Sequence, residues 1–223
     1  MKRIFLLLSA IALLSWSKEG TLTPEGKKAE AVDLGLSVKW ASFNLGASAP
    51  EEYGTYVAWG ESGLKAYYMW DNYKYCNEEG LTKYNYNSDF GAVDNMDSLV
   101  PSDDAATIRW GGKWRMPTFE ETEELKHSCT WEYTKQNNVN GFLVTSKVNG
   151  NTIFLPASGY RIESGIEDDG SLGYYWSSTL CYFDEEPLPY MAISLIFDPS
   201  GEFFDYVYYM ARYIGMSVRP VTD

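Results

Sequence analysis

The stretch GFLVTSKVNGNTIFLPA, residues 141–157, decides the fold class. Asn149-Gly150 sits between two runs rich in β-branched and aromatic residues, the strongest short-range signal for a β-hairpin. A type I′ turn needs positive φ at both central residues, and Asn-Gly is the pair that tolerates it. C-terminal to the hairpin, a Gly-rich loop (SGYRIESGIEDDGSLG, 158–173) leads to strands expected at YYWSST (174–179), YMAISLIF (190–197) and GMSVRPV (215–221). N-terminal to it, Thr118 followed by Glu121 forms a capping box, which starts a helix through Leu125 to about Cys129. A shorter helix is expected through Ile108, capped by Ser102, with WGGKWRMPT (110–118) as the turn between them. Further upstream, VDLGLSVKWASFNLG (32–46) and YGTYVAWG (53–60) read as strands. The polar-aromatic stretch from 63 to 100 reads as an ordered excursion pinned by its rings. Strands outnumber helices and the helices sit together mid-chain, which makes the fold class α+β.

Composition bounds the function. The 223 residues carry 31 acidic against 18 basic side chains, a net charge of -13. Phosphate backbones need a basic footprint, so nucleic acid is not an expected partner. A single histidine leaves no His-rich metal site. Aromatics reach 16%, including 18 Tyr and 8 Trp, which suits a densely packed β-rich domain or an exposed recognition surface.

Residues 1–16 read as a targeting signal: Lys2 and Arg3, then an apolar run from Ile4 to Leu14 that is too short to span a bilayer. Leu13-Leu14-Ser15-Trp16 has the frame of a lipobox with Trp where the acylated Cys belongs, so export without lipidation is expected. The destination is then extracellular, periplasmic or the outer-membrane surface. Residues 17–30 read as a flexible tether, and 31–223 as the folded domain. Cys76, Cys129 and Cys181 form no metal knuckle. They leave open one disulfide with a spare thiol, or three unpaired thiols.

Four stretches carry a resemblance. They are VDLGLSVKWASFNLGA with YGTYVAWGE, DDAATIRWGGKWRMPTFEETEEL, NGNTIFLPASGYR, and GYYWSST with the closing GMSVRPV. In this order they resemble secreted major-paralogous-domain proteins (FISUMP-type, close to the Lcl C-terminal domain) of Bacteroidota-like bacteria. Those domains are similar in turn to the C-type-lectin-like fold of formylglycine-generating enzymes. The resemblance implies a C-type-lectin-like α+β domain over residues 31–223, and it points two ways in function. Formylglycine-generating enzymes oxidise a peptide cysteine with a copper-binding cysteine pair, and no such pair is evident here. Variable proteins of diversity-generating retroelements use a similar fold to display ligand-binding residues before the closing strand, which corresponds to about residues 180–213.

Several side chains are candidates for chemistry. The loop Glu167-Asp168-Asp169-Gly170 has oxygens that suit Ca²⁺ but lacks the alternating spacing of a calcium loop, so it reads as a solvated turn and no cofactor is expected. His127, near a helix C-terminus, reads as a dipole partner. Ser177 and Ser178 lack a nucleophile-elbow context and read as strand residues. Arg115 and Arg219 read as structural. What remains is a surface. Tyr182, Asp184 and Glu185 form one expected loop, and Phe203, Tyr206, Tyr208, Tyr209 and Arg212 another. Tyrosines mixed with carboxylates offer rigid contact area at low ordering cost, as in paratopes. The expected function is an exported, non-catalytic recognition module binding a glycan or protein ligand through these residues. The alternatives are a structural module of a surface or fimbrial assembly, or a cysteine-oxidising enzyme of the formylglycine-generating type.

Overall fold

The computed structural model describes residues 29–183, 186–199 and 209–223. The expected leader, the tether to residue 28, and Asp184, Glu185, Phe203, Tyr206 and Tyr208 lie outside the described residues. In chain order the strands are β1 (Ala31–Val32), β2 (Lys39–Ala41), β3 (Cys76–Asn77), β4 (Gly80–Leu81), β5 (Cys129–Gln136), β6 (Val139–Ser146), β7 (Thr152–Pro156), β8 (Tyr160–Ile162), β9 (Gly165–Glu167), β10 (Gly173–Phe183), β11 (Glu186–Phe197), β12 (Tyr209–Ala211) and β13 (Val221–Thr222). Two helices, α1 (Ala105–Trp110) and α2 (Phe119–Ser128), precede β5. The strands pair antiparallel in small sheets ordered β1-β2-β13, β3-β4, β5-β6-β7, β8-β9 and β10-β11-β12. No helix among the described residues is long and apolar enough to cross a membrane.

The capping box forms as read: the Thr118 hydroxyl accepts from the Glu121 amide, and the Glu121 carboxylate accepts from the Thr118 amide at 2.9 Å. The shorter helix starts later than expected. Its cap is Asp104 and not Ser102, because the Asp104 carboxylate reaches both the Thr107 and the Met116 amides at 2.8 Å. One side chain thus satisfies a helix end and ties down the turn before α2.

The hairpin at 141–157 is present as β6 and β7, with Thr145 opposite Thr152, but its turn is not a two-residue one. The Ser146 amide donates to Asn151 O and the Gly150 amide to Ser146 O, closing a longer loop in which only Gly150 has positive φ. The Ser146 hydroxyl organises it by accepting from the Val148 and Asn149 amides. The two-residue turn lies one hairpin earlier. Asn137 and Asn138, at φ 48° and 66°, join β5 to β6 directly, with Gln136 opposite Val139. Asparagine tolerates left-handed backbone well enough to make a I′ turn without glycine. Residues 53–60, expected as a strand, form no sheet strand: Val57 makes an isolated antiparallel bridge with Met216, Thr55 N donates to Leu45 O and Trp59 N to Arg212 O.

The quoted stretches converge in space. Leu45 N donates to Val218 O, and Val57 exchanges backbone bonds with Met216. Arg115 exchanges backbone bonds with Val221, Ser178 N reaches Pro117 O, and Trp176 N reaches Ser217 O. Two indoles close the knot: Trp59 Nε1 donates to Ser177 O and Trp176 Nε1 to Val57 O, both at 3.0 Å. These motifs hold the chain together where regular pairing runs out.

Two cores flank this knot. One is ring-rich, built around Tyr56, Trp59, Tyr68, Tyr73, Tyr75, Tyr84 and Trp176. The other lies on the β5-β6-β7 sheet and is more aliphatic, built around Leu34, Leu125, Phe142, Val144, Ile153, Leu155 and Phe197.

Candidate functional site

β10 and β11 are the longest strands, and their register slips twice. Between Trp176 and Leu180 the extra residues are on β10; between Leu180 and Cys181 they are on β11. Such bulges splay the backbone and re-aim its polar groups. On β10 the freed groups dock the long excursion, through Leu99 N to Ser178 O and Leu180 N to Asp97 O. On β11 they leave Pro189 O and Tyr190 O facing Arg212, whose guanidinium and amide donate to them.

The same docking brings rings together at the outer end of the hairpin. Tyr182 meets Tyr86 edge-on at 6.3 Å between centroids, and Phe90 meets Tyr190 at 5.4 Å and 43°. The Tyr182 hydroxyl donates to Asp97 at 3.4 Å. Burial first, then the Tyr86 hydroxyl and the Asp97 charge, push the Tyr182 hydroxyl well above its ordinary range. It remains a neutral donor at any physiological pH. Phe90 is 40% exposed and Val93 beside it 45%. On β12, Tyr209 is 37% exposed opposite Ile193 of β11. Tyr182 and Phe183, expected in a loop, are instead the end of β10, and Glu186 opens β11 opposite Phe183.

Arg212, expected on the exposed face, is fully buried. Its Nε donates to the Tyr73 hydroxyl at 2.9 Å, and its terminal nitrogens reach Tyr84 O, Pro189 O and Lys83 O at 3.1, 2.5 and 3.0 Å. The guanidinium also lies over the rings of Trp59, Tyr73 and Tyr84, 5.0–5.7 Å from their centroids. Backbone carbonyls and ring faces satisfy it where a carboxylate usually would. Arg212 therefore bolts β12 to β11 and to the excursion, and its donors are already committed. Next to it, Lys83 and Tyr84 bond Asp103 at 2.5 and 2.6 Å. Burial opposes ionisation of Asp103, yet these bonds outweigh it and hold its carboxyl well below the usual range.

The other sequence candidates fall where packing needs them. Arg115 grips Glu121 with both terminal nitrogens, at 2.7 and 2.5 Å. Arg219 is buried on Asn44 Oδ1, Ala41 O and Phe154 O. The Ser177 hydroxyl donates to Ile193 O, and Ser178 is buried beside it. His127 is exposed, with Nε2 3.3 Å from Glu123. In the acidic loop, Asp168 accepts from the Tyr174 hydroxyl at 3.0 Å. No group of three or more His, Cys, Asp or Glu among the described residues is placed to share a metal ion. Cys76, Cys129 and Cys181 are all free, which settles the pairing left open by the sequence. Burial pushes the Cys181 thiol up to about 12.

Tyr86, Phe90, Tyr190 and Asp97 were not singled out from the sequence as members of this face. The only available signal was ring density between 63 and 100, which does not say which rings point outward. This chain matches no protein-family model, no curated protein and no solved structure.

Proposed function

We propose that this chain is an exported, non-catalytic recognition module on a C-type-lectin-like fold. Its ligand is a glycan or a protein at the cell surface. The binding face is the outer end of the β10–β11 hairpin together with β12 and the docked excursion. One observation carries the reading: Tyr86–Tyr182 and Phe90–Tyr190 form ring pairs at a rim where Phe90 and Val93 still face solvent, and Tyr209 is exposed on β12 of the same sheet. Rings held edge-on by neighbours present contact area without further ordering cost, and interface energy concentrates in such anchors. Asp97 and the Tyr182 hydroxyl add directional bonds.

A cysteine-oxidising enzyme of the formylglycine-generating type would need a reactive cysteine pair; Cys129 and Cys181 are both buried and burial raises both thiols, which weighs against that reading. A structural module of a surface assembly is the second reading, favoured by the solvent-facing Phe90 and Val93, which a neighbouring subunit could cover. Screening on glycan and protein arrays separates the two. Binding that Tyr182→Ala and Tyr190→Ala abolish supports recognition. Self-association that Phe90→Ser and Val93→Ser abolish, with no array binding, supports the structural module.

A further inference from the structure

The charges of this chain are unevenly placed. Of its 18 Lys and Arg, none lies between Lys83 and Arg109 and none between Arg161 and Arg212. These two stretches build the rim at the outer end of β10 and β11. The cations nearest to it in sequence are committed elsewhere: Lys83 is paired with Asp103, and Arg212 is buried on carbonyls and rings. Asp89, Asp94 and Asp97 are exposed in the first stretch, and none of them is in an ion pair among the described residues. Other carboxylates of the domain do have cations: Glu61 has Lys65, Glu121 has Arg115, and Glu123 has Lys126 and His127.

Apolar surface lies among these three carboxylates. Phe90 follows Asp89 and Val93 precedes Asp94, and the two apolar side chains are 40% and 45% exposed. The Phe90 ring rests against Tyr190 of β11, and Asp97 faces the Tyr182 hydroxyl of β10. The backbone carrying them is fixed. Ala92 N donates to Leu81 O, Leu99 N to Ser178 O and Leu180 N to Asp97 O, at 2.8, 2.9 and 2.7 Å. The Asp94 carboxylate accepts from the Tyr84 and Asn85 amides, which orders the loop and leaves its charge at the surface. Solvent-facing apolar side chains and carboxylates without counter-ions thus alternate along one preordered edge.

We infer that the partner at this rim is a basic segment of another protein, with Lys or Arg side chains laid across Phe90 and Val93. The inference rests on the recognition reading above and chooses within it. Lys and Arg carry apolar stems beneath charged heads. The stems cover Phe90 and Val93, which offer no bonding group to a sugar hydroxyl, while the heads reach the carboxylates of Asp89 and Asp97. Cations also gain from the faces of aromatic rings. The same charge repels acidic proteins, uronates and sulfated sugars, so it sets the choice of partner.

Fluorescence anisotropy of labelled nona-arginine with the full chain tests this, with labelled nona-glutamate as the anionic control. Nona-arginine should bind, more weakly at high salt, and nona-glutamate should not. Asp89→Asn/Asp97→Asn should weaken binding about tenfold, and Phe90→Ala, which leaves the charge unchanged, about fivefold. Glu120→Gln/Glu132→Gln removes the same charge from exposed positions on α2 and β5, and should change affinity less than about twofold. Melting curves check that each variant folds; if the double variant does not, Asp89→Asn alone replaces it and should still weaken binding more than the control pair. Equal weakening by the control pair would mean that net charge attracts the peptide, and would overturn the proposal. So would no binding of nona-arginine, or binding untouched by Phe90→Ala. A glycan that binds on the array and is lost with Tyr182→Ala, beside no binding of nona-arginine, would overturn this choice of partner and leave the recognition reading standing.

Discussion

The two cores are held together by different physics, although each contains a fully buried arginine. The core on the β5-β6-β7 sheet is formed by residues that neighbour one another through regular pairing, and its packing faces follow strand alternation and one helix. The ring-rich core has almost no regular strands of its own on the excursion side. Most of its rings come from residues 53–86, joined by Tyr174 and Trp176 of β10, and several polar ends find backbone carbonyls across large sequence separations, as with Tyr56 to Ser158 and Trp59 to Ser177. Where a sheet is absent, Tyr and Trp do two jobs: their rings bury apolar area, and their single donors satisfy carbonyls that no strand partner reaches. The high tyrosine content of this chain is thus first a way of building a core from loops.

The sharpest way to break this contrast is alkaline pH. Burial raises the pKa of Tyr56, Tyr73, Tyr75 and Tyr84 in the ring-rich core well above the ordinary value near 10. In the sheet core burial pushes Tyr175 up to about 12. A group whose pKa is raised by folding stabilises the fold fully below its unfolded value, and that contribution is lost as pH rises through the folded one. Stability should therefore hold to about pH 10 and then fall steeply. Tyrosinate absorbance at these buried rings should appear together with loss of near-ultraviolet dichroism. Smooth, early ionisation of all 18 tyrosines with the fold intact would contradict the assignment.

Next in size is the pair of arginines. Arg212→Leu leaves Lys83 O, Tyr84 O and Pro189 O unbonded in a core with no sheet to fall back on, and should cost about 3–5 kcal/mol. Arg219→Leu strands Ala41 O, Phe154 O and Asn44 beside intact sheets, and should cost less, about 2–4 kcal/mol. Urea denaturation of both variants checks the order.

The turns carry the smallest effects. Gly150 has φ 76° with open space where a Cβ would go, so Gly150→Ala should cost only about 1 kcal/mol, the price of left-handed backbone. Asn138→Gly, at the true two-residue turn, should be neutral or stabilising by up to about 1 kcal/mol. The reverse order in denaturation would return the tight turn to Asn149-Gly150.

These contrasts also explain what could be read in advance. The Thr118–Glu121 cap was legible because it is decided within four residues, and the β6–β7 hairpin because β-branched runs flank it. The turn inside that hairpin was misplaced because the Ser146 hydroxyl, not the Asn-Gly pair, closes it. Ser102 lost the cap to Asp104 because Met116, twelve residues away, supplies a second donor. Arg212 resembled a surface donor because the carbonyls that bury it lie at residues 83, 84 and 189. The strand-end position of Tyr182 was hidden by the bulges, which break the alternation that would have extended β10. For the rim, ring density was visible and ring direction was not.

The central claim is that the chain separates rings that hold the fold from rings left free to bind. Chemical denaturation of Phe90→Ala/Tyr190→Ala beside Trp59→Ala tests it most directly. The fully buried Trp59, bonded to Ser177 O, should cost about 3–5 kcal/mol on truncation, while the rim pair together should cost about 1 kcal/mol or less. A rim double variant as unstable as Trp59→Ala would mean that these rings are packing residues, and the division would not stand.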